Sequence, residues 1–133
     1  MSVLTRKQIK CLDRLFYDAA ALGQAVREMR SVAVTSAEQS ADPTARRAVV
    51  VLDEIPEAMG YKRPEAWLQV VEITWAKYHS ETATGKAMRR RYIRRECSES
   101  TCINEHISQG TYWNWREDFL IFSAITAARE GLL

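Results

Sequence analysis

The chain has 133 residues, 47% of them apolar and 27% charged, enough hydrophobic material for a core and too much for a disordered polymer. A formal net charge of +2 is too small to argue for nucleic-acid binding by itself. No apolar run approaches the roughly 20 residues of a membrane span, and Met1-Ser2-Val3 lacks the charged-then-apolar order of a secretory leader. With three cysteines, an odd number, these features predict a cytoplasmic protein that makes no contact with a membrane.

Only five Gly and three Pro occur, and long stretches read in helical period, so the expected fold is all-α. Thr5 is a candidate N-cap for a first helix. Ile9, Leu12, Phe16, Ala19, Leu22, Val26, Met29 and Ala33 then recur at spacings of three and four, one apolar stripe over seven turns. Such a stripe either packs on the other helices or pairs with a second copy, and the sequence does not decide which. Ser36 to Arg47 is small, polar and broken by Asp42-Pro43, the mark of a connector. A short helix over Thr44 to Glu54 is expected next. Val49 to Leu52 would suit a strand, but no partner strand is apparent in the sequence. Pro56 to Arg63 reads as a turn containing Gly60.

Pro64 sits where a first-turn proline belongs, and Trp67, Leu68, Val71, Trp75 and Tyr78 give the helix from Pro64 to His79 a wide apolar face. Ser80 to Gly85 is a break in which Thr82 or Thr84 can cap a basic helix, Lys86 to Arg95. There Ala87, Met88, Tyr92 and the stem of Arg91 point inward, while Lys86, Arg90 and Arg94 at i, i+4, i+8 form an outward row. A polar helix from about Ser98 to His106 and a tight Ile107-Ser108 joint lead to a last helix opening at Gln109. On its projection Tyr112, Trp115, Phe119 and Phe122 share one face, and Gly110, Trp113, Asn114 and Glu117 the other. Beyond Phe119 the segment is apolar nearly all round, so it is expected to be buried against the first helix or another subunit, until Gly131 ends it.

Charge is unevenly spread: six basic against three acidic groups in residues 1–35, five against eight in 36–81, seven against three in 82–116 and one against three in 117–133. The positive excess thus falls on the last helix pair, with a second patch at the N-terminus. Helix, short turn, helix beside a basic flank is the arrangement that lays one helix in a DNA major groove. In this reading Ser108 caps the last helix, and Gln109, Gly110, Thr111, Trp113 and Asn114 face base edges. Gln and Asn can bond adenine bidentately, Thr can touch a thymine methyl, and Gly lets the backbone approach closely. Lys86, Arg90, Arg94, Ser108 and Arg116 would contact phosphates, holding register without reading sequence. Tyr112 and Trp115 wedge the two helices together.

The bland rivals are an ordinary solvated basic face, and a Trp113 covered by a neighbouring subunit. Cys97, Cys102 and His106 lack a zinc-site frame and a fourth ligand, so no metal is expected. Neither His79 nor His106 sits in an arrangement marking a catalytic site, and no Gly-rich loop could cradle a phosphate. No enzyme and no cofactor are expected.

The chain resembles the small phage-encoded transcription regulators related to sigma-70 region 4, the RinA- and ArpU-like late-gene regulators. The likeness lies in the segment from Lys62 to Glu72 (KRPEAWLQVVE), in Arg91-Tyr92-Ile93 and in His106-Ile107-Ser108. It is strongest in Thr111-Tyr112-Trp113-Asn114-Trp115-Arg116 and fits the ending from Ala124 to Leu132, covering about the C-terminal half. The resemblance implies a helix-turn-helix domain over residues 63–133, preceded by a helical arm and connector over 1–62. It also implies binding to double-stranded promoter DNA beside host RNA polymerase, in the bacterial cytoplasm. It makes Ser108, Gln109, Gly110, Thr111, Trp113, Asn114 and Arg116 the DNA-facing positions. Two residues depart from the pattern: Glu105 stands where such proteins bury a leucine, and Ile103 where they expose a charge. Nothing resembles a promoter-melting region, so a complete sigma factor is not expected. Two alternatives compete: a small terminase-like DNA-packaging subunit, and a protein–protein module for a host factor. A homo-oligomer would form through the first helix and the apolar end of the last.

Overall fold

The structure, a computed structural model, describes residues 3–39 and 54–133. Five helices and one small hairpin are found among the described residues: α1 (Arg6–Gln39), β1 (Glu57–Ala58), β2 (Tyr61–Lys62), α2 (Pro64–Lys77), α3 (Ala83–Tyr92), α4 (Ser98–Glu105) and α5 (Gln109–Arg129). The fold is all-α, and none of the described helices is long and apolar enough to cross a membrane.

Local chemistry sets most boundaries. α1 opens with a reciprocal capping box. The Gln8 amide donates to Thr5 Oγ1 at 3.1 Å, and the Thr5 amide donates to Gln8 Oε1 at 2.9 Å. The helix runs on through Gln39, past the expected connector start at Ser36, because nothing from Ser36 to Gln39 breaks a helix. The Ala33 side chain and, of the helix expected over Thr44 to Glu54, residues 44–53 lie outside the described residues; Glu54 itself is not helical. The turn around Gly60 proves to be a hairpin with Glu57 opposite Lys62 and Ala58 opposite Tyr61. Both central residues, Met59 (φ 52°) and Gly60 (φ 82°), have the positive φ that a type I′ turn demands.

By compactness the chain divides into two units, Met1–Asp18 with Gln69–Leu133, and Ala19–Leu68. Leu12, Leu15 and Phe16 of α1 are buried, and Phe16 packs on rings of α2, α3 and α5. In that first unit Phe119 is the hub. Its ring centroid lies 4.7 Å from Phe16, 4.9 Å from Trp75, 5.5 Å from Tyr78 and 5.8 Å from Tyr92. Leu120, Ser123, Ala124 and Ala127 are also buried, Ile121 and Phe122 are half-buried, and Ile125 is exposed.

In the second unit Leu22, Val26, Ile55, Ala58, Tyr61, Ala66 and Trp67 are buried, whereas Met29 of the α1 stripe and the neighbouring Val32 are exposed. Arg30 grips Glu65 with two donors, Nε at 3.0 Å and Nη2, and Glu65 also accepts from the Ile55 amide at 3.3 Å. The hydrogen bond from Arg30 holds the Glu65 carboxyl below the usual carboxylate range.

Candidate nucleic-acid interface

The joint between α4 and α5 is built by two abutting caps. His106 takes the left-handed conformation (φ 55°, ψ 48°). Its amide donates to Ile103 O at 3.4 Å, and the Ile107 amide donates to Cys102 O at 3.0 Å. This 5→2 and 6→1 pair is a Schellman motif, which ends α4 and turns the chain. Ser108 then caps α5: its Oγ accepts from the Thr111 amide at 3.1 Å and donates to Thr111 Oγ1 at 2.9 Å. The joint is three residues long, His106-Ile107-Ser108, within the range of helix-turn-helix connections.

Beyond it, Gln109, Gly110, Trp113 and Asn114 are exposed and Thr111 is half-buried, so the opening turn of α5 is open to a ligand. Tyr112 is fully buried, and Trp115 is half-buried. Ser108 both donates and accepts within the cap, so its side chain is engaged by the protein itself.

The expected basic row is discontinuous. Lys86 and Arg94 are exposed. Arg90 between them is held by Glu105 Oε1 at 2.5 Å and by both oxygens of Glu96 at 3.2 Å. Two carboxylates more than neutralise one guanidinium, so Arg90 ties α3 to α4 and is not a free phosphate contact. The same contact accounts for Glu105, one of the two residues that depart from the pattern of the regulators the sequence resembles: it faces α3 as an ion-pair partner. Ile103, the other, is 74% exposed. Ser80, Lys86, Arg89, Arg90, Arg94 and Glu105 line an open groove of about 290 Å³.

Arg116 is engaged as well. Its Nη2 lies 3.1 Å from Asp13 of α1, and the same carboxylate receives Arg91 Nη2 at 3.4 Å and the Tyr92 hydroxyl at 2.7 Å. Arg91, its side chain 13% exposed, also donates to the Tyr112 hydroxyl at 2.9 Å. Burial works against the Arg91 charge, yet the Tyr112 hydrogen bond and Asp13 outweigh it and raise its pKa. Burial, with Asp13 beside it, pushes the Tyr92 hydroxyl up. The inward stem of Arg91 was legible from its position among Ala87, Met88 and Tyr92. Asp13 was not, because one carboxylate on a long helix carries no signal of the cations it meets.

This node explains Trp113. Its ring, 43% exposed, lies 5.5 Å from the Arg91 guanidinium and 5.3 Å from that of Arg116, and meets Tyr112 edge-on at 5.0 Å. Two cation–π contacts hold the exposed indole in place. Leu4, Ile9, Trp113, Arg116, Glu117 and Leu120 line a shallow groove of about 170 Å³ beside it.

Among the described residues no group of three His, Cys, Asp or Glu is placed to hold a metal ion. Cys97 Sγ instead accepts from the Ser100 amide at 3.4 Å as the cap of α4, and Cys102 is buried. No family model, no curated protein and no solved structure matches the chain. Its functional reading rests on its own residues.

Proposed function

We propose that the protein is a transcription regulator of phage origin that binds double-stranded DNA through α4 and α5, with the opening turn of α5 in the major groove. The observation that carries this reading is the exposure of Gln109, Gly110 and Asn114 on a capped helix whose far side is anchored in the core. The bidentate amides of Gln109 and Asn114 suit adenine, and the exposed cations Lys86 and Arg94 suit phosphates on the α3 side. Host RNA polymerase is the partner that the resemblance to sigma-70 region 4 suggests.

Sequencing duplexes that the pure chain selects from a random pool tests the reading. A defined motif should emerge, bound less tightly as salt rises. Gln109→Ala or Asn114→Ala should each cost about 1–3 kcal/mol and relax preference at one position of the motif. No enriched motif, together with no salt-dependent binding, would overturn it.

A second reading, a protein–protein module, draws on the exposed Ile93 and Ile103, 64% and 74% accessible. Charge reversal at Lys86 and Arg94 separates the two. DNA binding should collapse, whereas a module would keep its partner.

A further inference from the structure

We propose that α1 is a second part of the same DNA-contacting surface, with Arg6, Lys7 and Lys10 holding phosphates of the backbone that flanks the groove entered by α5. The inference rests on the DNA-binding reading and adds an element to it. The helix pair is short of cations exactly where a duplex would need them: Arg116 is engaged by Asp13, and Glu117 and Asp118 follow it on α5.

The first turns of α1 lie beside that flank. Leu4 and Ile9 share a groove with Trp113, Arg116, Glu117 and Leu120, and Asp13 receives Arg116 directly. Arg6, Lys10, Asp13 and Tyr17 are spaced i, i+4, i+7, i+11 and therefore share one helix face. The lower part of that face is already docked. Asp13 bonds Arg91, Tyr92 and Arg116, and Tyr17 meets Tyr92 edge-on while its carbonyl accepts from Arg95. At a rise of 1.5 Å per residue, Lys10 and Arg6 stand about 5 and 10 Å further along the axis on the same side. Lys7, three residues before Lys10, borders them. All three cations are exposed, and none has an ion-pair partner among the described residues. They do for the α1 side of the surface what Lys86 and Arg94 do for the α3 side, and a duplex seated on α5 would be held between two basic margins.

The test uses the full chain and the duplex it selects, with affinity followed by fluorescence anisotropy across a salt series. Arg6→Gln/Lys7→Gln/Lys10→Gln should lower the slope of log affinity against log salt by about 2–3, since each phosphate contact contributes about 0.9. At about 150 mM salt the affinity should fall on the order of ten- to a hundredfold, with the preferred sequence unchanged because phosphates carry no base identity. Gln keeps the helix propensity of Lys and Arg, and Lys10→Gln alone, with a slope change of about one, guards against a folding artefact. The charge control is Arg129→Gln, an exposed cation in the last turn of α5. A triple variant that binds like the wild type overturns the inference and leaves the helix-pair reading standing. So does an equal loss in Arg129→Gln, which would make total charge the cause. A wild-type chain that binds no duplex overturns both.

Discussion

At Asp13 one carboxylate receives two guanidinium groups and a phenol, and it is the only acid among them. Arg91, Arg116 and Asp13 are 13%, 18% and 22% exposed, so the charges meet in a setting where water screens them poorly. Removing the acid would leave two cations facing each other beside Trp113. Replacing a half-buried partner in this way is costly mainly because of the uncompensated charge left behind. Asp13→Asn, which keeps the shape and a hydrogen-bond acceptor, should therefore lower stability by about 2–4 kcal/mol in a denaturant titration. It should also loosen the indole, read as a shift in tryptophan emission before unfolding begins. An unchanged midpoint would mean the node is a surface ion pair of little value. The convergence of these groups on Asp13 was not legible in the sequence. The helical period placed Arg91 inward and left Trp113 outward, as found, but a pattern along one helix says nothing about which side chains of distant helices converge on it.

At the scale of elements, the chemistry of capping was legible and the chemistry of close approach was not. Thr5 and Ser108 were recognisable as cap residues and each caps its helix; of the two candidates Thr82 and Thr84, it is Thr82 that caps α3, which starts at Ala83, three residues before the expected Lys86. The hairpin was missed because its strands are only two residues long, too short for any alternation to register. Gly85 looked like the end of a polar break and is instead a point of contact inside α3. A Cβ there would lie 2.1 Å from His79 O, 2.5 Å from Tyr78 O and 2.6 Å from Thr82 Oγ1. Two of those atoms are backbone, so the start of α3 would have to move away from the end of α2. The joint is further fixed by Arg89, which donates to Tyr78 O at 2.7 Å and Gly85 O at 3.1 Å while stacking 4.6 Å over Trp75. Gly85→Ala would normally favour a helix by up to about 1 kcal/mol. Here the clash should reverse the sign and cost about 2 kcal/mol or more, seen as a lowered thermal midpoint. A variant more stable than the wild type would mean that the two helices slide apart without loss.

For the whole molecule, the distribution of charge matters more than its sum. A net +2 predicts weak attraction to a polyanion, but the arrangement of the cations predicts something stronger. Of the five candidate phosphate contacts expected from the sequence, Arg90 and Arg116 are engaged by carboxylates and Ser108 by its own cap, which leaves Lys86 and Arg94. The sequence marked the N-terminal patch as a second basic region without assigning it a partner, since only the fold brings Arg6, Lys7 and Lys10 beside α5. If both margins touch the backbone, five phosphates are neutralised, and log affinity should fall against log salt with a slope of about −4.5. That is a loss of several hundredfold between about 50 and 200 mM salt. The helix pair acting alone would give a slope of about −2. Two copies on a two-fold operator would double either value, so the mass of the complex has to be measured by light scattering in the same buffer. A single copy with a slope near −2 confines the contact to Lys86 and Arg94, and a slope near zero removes phosphates, and with them DNA, from the account of this surface.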